Sequence, residues 1–447
     1  MSNTIKIKKG FDIKLKGQAD LSIGKAVDTN RYAVKPTDFL GLKPKLCVKA
    51  DDIVKAGTPL FFDKSQPEVK FTSPVSGKVV AINRGERRRI LEIEIESNGK
   101  FESVDFPVEE IKSLNRDKVK KNLLESGLWP FMVQRPFGVI PQVNEMPRDI
   151  FITSFDSSPL APDYEFTLAG EMENIQAGID VVSKLSKGKV YLGLRPGSKF
   201  STLKGVEINY LNGPHPAGNI GIQLHKIAPL NKGEIVWTLN LQTLLYIGKL
   251  FKTGKLNLER LVAVCGSEVK KPQYIKAVAG ASVKTLINGN TKNETNERLI
   301  SGNVLTGEKL EENGFTRLID NQVTVIPEGN EIEPFGWIAP GFNKFTAGKT
   351  FLSKLMPRKS YVLNANYHGG ERAFVVSGQY EKVLPMDIYP VYLLKAILVN
   401  DIDKMENLGI YEVVEEDMAL CEYVCSSKIE VQSILRNGIN TMIKELA

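Results

Sequence analysis

The chain has 447 residues, of which 42% are hydrophobic and 25% charged, so it can bury a large core and is neither disordered nor collagen-like. Its net charge of +7 arises from 59 Lys and Arg against 52 Asp and Glu, with both signs mixed along the sequence. A nucleic-acid binder more often gathers its basic excess into one stripe, so this pattern argues against nucleic acid as a partner. The length predicts two to four domains at about 150 residues each.

Cysteine content and hydropathy predict a protein of the reduced cytoplasm. Four cysteines are too few for a disulfide framework in so long a chain. The lysine-rich N-terminus lacks the apolar core of a signal peptide, and no run of about 18 apolar residues could span a membrane. The longest candidate, residues 389–399, is shorter and contains Lys395.

The first hundred residues are predicted to form a β domain. Leu91, Ile93 and Ile95 alternate with glutamates, which is the period-two pattern of a strand with one buried face. Further back, two glycine turns each precede a short apolar strand. This spacing resembles the biotinyl/lipoyl carrier fold, a flattened β-barrel of two similar halves. The cluster Arg87-Arg88-Arg89 is interpreted as a solvated hairpin tip.

Lys64 is the candidate for the modified lysine of such a carrier domain. In carrier domains that lysine lies on a tight hairpin shortly before a Ser-Pro-x-x-Gly element, which is present here at Ser73. The intervening segment, residues 65–72, is longer than in a lipoyl domain and contains Pro67. We therefore interpret Lys64 as an ordinary surface lysine and expect the fold without its prosthetic arm.

After the β domain the pattern changes to α/β. Residues 115–126 have helical spacing, and Gly127 is placed to end that helix. A strand over 149–154, a helix over 171–185 and a strand over 189–194 follow. A strand, a helix and a strand within this length predict a βαβ unit and a parallel, Rossmann-like sheet.

The last part of the chain is mixed and then helical. Strands are predicted at 261–266 and 322–326, with a short helix beginning near 281–287 between them. Pro390 suits the first turn of a helix. Residues 427–430 match a capping box that would open a final amphipathic helix.

The histidines form no metal-binding motif, since His215, His225 and His368 stand far apart. His215 lies between two prolines in residues 212–221, a loop with three glycines. Such a loop allows a close approach of the backbone to a ligand, a neighbouring subunit or another part of the fold. Because no carboxylate partner is near in sequence, His215 is interpreted as structural.

The cysteines also fail to make a complete site. Cys421 and Cys425 would share a helical face, but two thiols are half of a tetrahedral zinc or iron–sulfur site. Cys47 and Cys265 are single and lie in apolar strand contexts. All four are interpreted as buried small hydrophobes.

Phosphate-binding loops are missing from the sequence: no Gly-x-Gly-x-x-Gly follows the predicted parallel strands, and no Gly-x4-Gly-Lys-Ser/Thr occurs. The acidic run 415–417 is interpreted as a first helical turn that is stabilised by the helix dipole. Motif analysis therefore predicts no catalytic, cofactor-binding or metal-binding residue.

Several stretches in consistent order resemble the family of NqrA, the A subunit of the bacterial sodium-translocating NADH:quinone oxidoreductase. They extend from the N-terminus nearly to the C-terminus and comprise residues 5–12, 73–85, 211–218, 298–307, 336–341, 418–425 and 428–430. Members of this family are related to the C subunit of the Rnf complex and to the flavin- and NADH-binding subunit of respiratory NADH dehydrogenase.

The resemblance implies a multidomain α/β and α+β architecture with four parts. These are a biotinyl/lipoyl-like barrel-sandwich domain at 1–100, a Rossmann-like α/β domain at 101–255, an SLBB-like β-grasp domain at 256–330, and a linker with a C-terminal helical domain at 331–447.

The resemblance also implies a function. The chain would be a peripheral cytoplasmic subunit of a translocase that couples NADH oxidation and quinone reduction to sodium export. Integral membrane and NADH-oxidising subunits, NqrB to NqrF, would be its partners and would hold NADH, the flavins and the iron sites. Because the glycine-rich flavin loop and the tetra-cysteine motif of the relatives are missing, we expect no FMN, iron–sulfur cluster or NADH on this chain, and no catalysis by the isolated chain.

Ubiquinone is the possible substrate near this subunit, since the family is associated with quinone. A quinone ring needs an apolar slot with a hydrogen-bond donor, and Trp337 and His215 are candidate lining residues. Both are interpreted as scaffold. Two alternatives stay open: a soluble flavin- or NAD-dependent oxidoreductase that uses the Rossmann-like domain, and a carrier protein that uses Lys64.

Overall fold

The computed structural model describes residues 4–25, 29–292, 296–329, 334–336, 338, 340–356 and 359–446. The strands among these residues form four sheets, and helices follow them towards the C-terminus. None of the helices in the same ranges is both long and apolar enough to cross a bilayer.

The first two strands do not join the barrel that follows them. Strand β1 (Thr4–Lys6) pairs in parallel with an edge strand of the α/β domain, and β2 (Asp20–Ile23) pairs in parallel with an edge strand of the third domain. Short strands pair with whichever sheet edge lies near them, and their sequence does not specify that edge.

The barrel-sandwich domain consists of two small antiparallel sheets. One has the order β3-β9-β8-β5 and the other β4-β6-β7. Their strands are β3 (Arg31–Val34), β4 (Pro44–Leu46), β5 (Ile53–Val54), β6 (Pro59–Asp63), β7 (Lys70–Thr72), β8 (Gly77–Arg84) and β9 (Ile90–Ser97). The arginine cluster lies at the exposed tip of the β8–β9 hairpin, as predicted.

The predicted alternation in β9 holds for Ile93 and Ile95, which are fully buried, but not for Leu91, which is 39% exposed. The register explains the difference. Asn83 pairs with Glu92 and Arg84 pairs with Ile90, so Leu91 is left opposite no residue of β8. This bulge turns Leu91 outwards and brings Ile90 into the core.

The α/β domain contains a six-stranded sheet of order β1-β13-β12-β11-β14-β10 in which only β10 is antiparallel to its neighbour. Its strands are β10 (Val133–Arg135), β11 (Asp149–Thr153), β12 (Val190–Leu194), β13 (Glu207–Asn212) and β14 (Val236–Asn240). Its helices are α1 (Arg116–Ser126), α2 (Tyr164–Thr167), α3 (Met172–Val182), α4 (Ile220–Ile227) and α5 (Leu241–Thr253).

The predicted βαβ unit is confirmed, because β11, α3 and β12 follow one another and the two strands pair in parallel. Gly127 ends α1 in the left-handed conformation with φ of 77°, also as predicted. Helices α3 and α5 cross closely at two glycines. A Cβ on Gly178 would lie 2.2 Å from the carbonyl oxygen of Leu244, and one on Gly248 would lie 1.8 Å from that of Asn174.

The third domain is a mixed sheet of order β18-β17-β19-β15-β16-β2. It is formed by β15 (Glu259–Cys265), β16 (Gln273–Val278), helix α6 (Val283–Ile287), β17 (Glu297–Ser301), β18 (Glu308–Leu310) and β19 (Gln322–Pro327). Both strands predicted here and the short helix between them are confirmed; β15 and β19 are parallel neighbours.

Helices of the described residues form the C-terminal domain: α7 (Tyr380–Val383), α8 (Pro390–Leu398), α9 (Ile402–Asn407), α10 (Glu415–Val424) and α11 (Val431–Leu446). Pro390 occupies the first turn of α8, as predicted. The capping-box prediction is wrong, because Ser427 lies in the turn before α11 and its hydroxyl donates to the carbonyl of Ala373 at 2.9 Å. Lys428 has φ of 56°, which is outside the right-handed helical region, so no continuous helix begins at Ser427.

Candidate functional site: a polar cavity at the centre of the parallel sheet

A cavity of about 780 Å³ lies where the strand order of the parallel sheet reverses. The chain runs from β11 to β12 and β13 on one side and then returns to place β14 on the other side of β11. Thr153 at the end of β11 and Asn240 at the end of β14 both line the cavity. Open α/β sheets bind their ligands at this position, outside the carboxyl ends of the strands.

All four domains contribute to the cavity wall. The barrel supplies residues 37–40, the third domain residues 317–322, and the C-terminal domain the beginning of α10 at residues 414–416. The volume is in the range of small-molecule sites. The cavity is therefore a junction between domains as well as a pocket of the parallel sheet.

Carboxylates outnumber guanidinium groups in the wall of this cavity. The six carboxylates and four guanidiniums are Asp38, Asp156, Glu308, Asp320, Glu415 and Glu416, and Arg135, Arg260, Arg317 and Arg436. Burial raises the pKa values of Asp38 and Glu416 to about 7, so these two carboxylates are only partly ionised at neutral pH. The wall therefore offers a nucleotide or flavin phosphate no net positive charge.

Arg135 is the most buried of these cations, with 3% of its side chain exposed. It lies at the end of β10 and donates to Asp417 Oδ2 and to Glu416 Oε1, both at 2.6 Å. Burial would lower the pKa of Arg135, but these carboxylates outweigh it and raise the pKa above its ordinary value. The acidic run is the first turn of α10, as predicted, and it also holds this guanidinium in place.

The other guanidinium groups also bind groups of the chain itself. Arg317 donates to Asp320 at 2.7 Å, and Arg436 donates to Glu415. Arg260 donates to the carbonyl oxygen of Leu318 at 2.7 Å and to that of Arg317 at 3.1 Å. The cavity wall is thus largely satisfied from within, rather than prepared for an anionic ligand.

Some buried polar atoms of this wall lack a hydrogen-bond partner, among them Nε of Arg135, Nε of Arg260 and the carboxylate of Asp38. The side chain of Asp38 is 2% exposed, and both carboxylate oxygens are without a hydrogen-bond partner among the described residues. Lys35 Nζ lies 3.5 Å from Oδ1 but forms its shorter contact, 2.7 Å, with Glu308. Burial raises the pKa of Asp38 to about 7, although Lys35 and Arg317 act to lower it.

The glycines of loop 212–221 lie against other parts of the fold, which favours the third of the alternatives that the sequence left open. A Cβ on Gly213 would lie 2.3 Å from the carbonyl oxygen of Ile7, and one on Gly218 would lie 2.5 Å from the amide nitrogen of Ser157. A Cβ on Gly221 would lie 2.3 Å from Asp417 Oδ1. The glycines therefore serve internal packing.

His215 lines the cavity and is 4% exposed. Ser157 Oγ accepts the N–H of Gly218 at 2.8 Å and forms a hydrogen bond with His215 Nδ1 at 3.0 Å. The backbone N–H of His215 donates to Asp12 Oδ1 at 2.8 Å. Burial lowers the pKa of His215 below its ordinary value, so the ring is neutral and ties the loop to its neighbours.

The other two histidines lie elsewhere. His225 connects α4 with the C-terminal domain: the backbone N–H of Asp387 donates to Nε2 at 3.0 Å, and Nδ1 donates to Glu412 Oε2 at 2.7 Å. His368 is exposed and contacts Asn364 Oδ1 through Nε2 at 2.7 Å. Within the part of the chain that the structure describes, no three His, Cys, Asp or Glu side chains are grouped to hold a metal ion.

Three of the four cysteines are buried, as predicted, but Cys47 is exposed. It follows β4, and its side chain points away from the core between half-buried Leu46 and buried Val48. Burial raises the pKa of Cys265 to about 12 and also raises the pKa of Cys421.

Lys64 is exposed in the turn between β6 and β7, and its backbone N–H donates to the carbonyl oxygen of Lys43 at 2.8 Å. That it carries no prosthetic group stays a prediction. Trp337, the other candidate near a quinone, lies outside the described residues.

The sequence did not predict the arginines and the buried aspartate of the cavity, among them Arg135 and Asp38. No recognisable motif surrounds these residues in the sequence. Arg135 and Asp417 are 282 residues apart, so only the tertiary structure reveals the pair.

Three family models match the sequence. The NqrA N-terminal barrel-sandwich hybrid domain matches residues 5–98, the NqrA second alpha/beta domain residues 114–256, and the NQRA C-terminal domain, of SLBB type, residues 261–312. These matches agree in order with the barrel, the α/β domain and the third sheet.

Full-length relatives are similar to the whole chain. The A subunit of the Na(+)-translocating NADH-quinone reductase of Marinomonas sp. (strain MWYL1) is 39% identical over 443 residues, 98% of this chain and 99% of that protein. The proteins of the same name from Neisseria meningitidis serogroup B and Yersinia pseudotuberculosis serotype I are 37% and 38% identical, each covering 99% of this chain and all of that protein.

Solved structures give a weaker likeness. The NAD+-reducing [NiFe]-hydrogenase in its air-oxidized and H2-reduced states has TM-scores of 0.33 and 0.35 at 12% and 13% identity. These alignments cover 67% of this chain and 55% and 56% of the hydrogenase chains.

The succession of barrel-sandwich, α/β and SLBB domains, with relatives aligned over the full length, defines a subunit of a respiratory NADH-quinone reductase. The chain belongs to the NqrA family, which comprises the A subunits of the Na(+)-translocating NADH-quinone reductases.

Proposed function

We propose that this chain is the cofactor-free, peripheral subunit of a complex that couples NADH oxidation and quinone reduction to sodium export. It would lie at the cytoplasmic face of the bacterial inner membrane. Its partners would be the integral membrane and NADH-oxidising subunits NqrB to NqrF, which would hold the flavins, the iron sites and the NADH site.

The observation that carries this proposal is the chemistry of the cavity wall. The position suits a nucleotide cofactor, but the wall carries no excess of positive charge and its arginines bind groups of the chain itself. The glycines of the nearby loop accommodate the fold rather than a phosphate. These features support a subunit that kept a redox scaffold without the means to bind a flavin phosphate.

The same cavity suits the neutral ring of a quinone better than a nucleotide. Its wall includes apolar side chains such as Phe131, Phe155 and Leu305 beside the buried His215. A quinone needs an apolar slot with a hydrogen-bond donor, and the Nε2–H of a neutral His215 is a candidate donor. Ubiquinone near this subunit is therefore part of the proposal.

Purification from gently solubilised membranes tests the assignment. We expect integral membrane subunits and a flavin-containing NADH-oxidising subunit to co-purify with the tagged chain. The chain itself, separated from them, should be colourless, release no flavin on denaturation and contain no iron. Stoichiometric flavin on the separated chain, or NADH oxidation by it, would instead favour the soluble oxidoreductase; an intact mass with a lipoyl or biotinyl adduct would favour the carrier.

A further inference from the structure

Residues 334–361, which we call the basic segment, have an unusual charge pattern. Five Lys or Arg occur in them, and no Asp or Glu occurs anywhere from residue 334 to residue 370. Elsewhere the chain mixes both signs, with 52 acidic residues in total. An acid-free stretch of this length in such a chain indicates contact with a surface of uniform negative charge.

Large apolar side chains on the basic segment point to solvent. Phe335 is 74% exposed, Ile338 62%, Phe342 50% and Leu355 71%. Soluble proteins rarely expose several large apolar residues close together without a binding role. The segment thus combines exposed apolar groups with positive charge, as interfacial membrane-binding elements do.

The other side of the basic segment is anchored to the N-terminal strand region. The ring of Phe345 stacks on that of Phe11 at 5.4 Å and contacts that of Tyr361 at 5.2 Å. The backbone of Tyr361 donates to the carbonyl oxygen of Lys14 and accepts from the N–H of Lys16, both at 2.8 Å. The segment is therefore held on the protein, and its apolar groups are not a free tail.

This anchorage brings further positive charge to the same surface. Lys16 is exposed beside Tyr361, and Lys349 and Lys354 are exposed within the segment. Lys359 Nζ donates to the carbonyl oxygen of Phe342 at 3.2 Å, next to an exposed ring. Lys344 Nζ likewise donates to the carbonyl oxygen of Gly336, so Lys349 and Lys354 are the exposed lysines that lie among the apolar side chains of the segment.

We infer that the basic segment is a membrane-binding surface that recognises the anionic phospholipids of a bilayer, with its apolar side chains entering the interface and its lysines contacting the headgroups. An anionic bilayer presents uniform negative charge above an apolar interior, which matches a segment that has exposed apolar side chains, lysines and no carboxylate. Each basic residue near an anionic bilayer strengthens binding about fivefold, so several together give stable but salt-dependent attachment.

The inference deepens the proposed peripheral location by naming the surface and the lipid class. The vesicle assay uses no partner subunit, so the inference can fail there while the proposed function stands. The purified full-length chain is mixed with vesicles of phosphatidylglycerol and phosphatidylcholine, or of phosphatidylcholine alone, and the fraction that sediments with them is measured at low and at high salt.

We expect sedimentation with the phosphatidylglycerol vesicles only, weakened by high salt. The double variant Lys349→Glu and Lys354→Glu should bind more weakly by a factor of about ten or more. A second variant, Phe342→Ser with Leu355→Ser, should also weaken binding, because it removes apolar groups and leaves the charge unchanged.

The matched control is Lys43→Glu with Lys64→Glu, which makes the same change of charge at exposed positions of the barrel. It should bind as the unaltered chain does. Circular dichroism confirms that each variant is folded. Equal weakening by the control, or no binding of the unaltered chain to anionic vesicles, would overturn the inference. Loss of binding to the solubilised membrane subunits, with vesicle binding unchanged, would also overturn it and identify a protein partner.

Discussion

The cavity wall and the basic segment differ in whether their charged side chains are paired. In the wall, acids and arginines lie against each other, as in the pair of Arg135 and Asp417 with nitrogen and oxygen 2.6 Å apart. On the basic segment, cations such as Lys349 and Lys354 are exposed and have no carboxylate near in sequence. Charges that are paired inside contribute to joining the domains, whereas charges left outside are available to a partner surface. The predictions below test this division.

The largest effect is expected for Arg135→Ala. The substitution leaves Asp417 buried without its cation, and breaking one side of a buried ion pair costs about 3–5 kcal/mol. Chemical denaturation of the full chain measures this loss. The control is Lys189→Ala, which breaks an exposed pair with Glu207 and should cost at most about 1 kcal/mol. Equal losses in both variants would show that the wall is not held by this pair.

Asp38→Asn should stabilise the protein in a pH-dependent way. The pKa of Asp38 is raised from 3.8 to about 7 in the folded state, so folding is favoured when the group is protonated and stability falls as the pH rises from about 4 to about 7. Asparagine avoids this cost.

The Asp38→Asn variant should therefore exceed the unaltered chain by about 2–4 kcal/mol at pH 8, with the difference vanishing near pH 4. Denaturation curves at several pH values measure it. A variant that is less stable at pH 8 would mean that the attraction of Lys35 outweighs burial.

His225→Ala should loosen the contact between α4 and the C-terminal domain. It removes the acceptor for the N–H of Asp387 and the donor to Glu412, and hydrogen bonds of this kind are worth about 1–3 kcal/mol together. Hydrogen exchange should accelerate around residues 387 and 412. His368→Ala, at an exposed position, is the comparison and should leave both segments unchanged. Unchanged exchange in His225→Ala would refute the contact's role.

The smallest effect on stability is expected for Lys349→Ala with Lys354→Ala. Substitutions at exposed positions such as these change stability by less than about 0.5 kcal/mol. The thermal midpoint of the double variant should match that of the unaltered chain. A clear drop in the thermal midpoint would show that these lysines stabilise the fold. It would contradict the conclusion that charges on the basic segment, unlike those of the cavity wall, do not hold the fold together.

Much of the fold followed from local pattern. The βαβ unit, the end of α1 at Gly127 and the strands of the third domain have hydrophobic periods and turn residues that specify them without help from distant contacts. The predictions that were wrong concern residues whose conformation depends on contacts with segments distant in sequence. Ser427 resembles a helix cap in sequence, yet its hydroxyl binds Ala373, and the bulge at Leu91 depends on the register of β8.

The sequence by itself determined the kinds of domain, their order and the family, because hydrophobic period, glycine turns and full-length similarity are properties of the linear chain. Only the tertiary structure decided where β1 and β2 pair, which charges meet in the cavity and which face the solvent. The physical reason is distance along the chain: an ion pair between residues 135 and 417 depends on strand order and helix docking, which no local segment encodes.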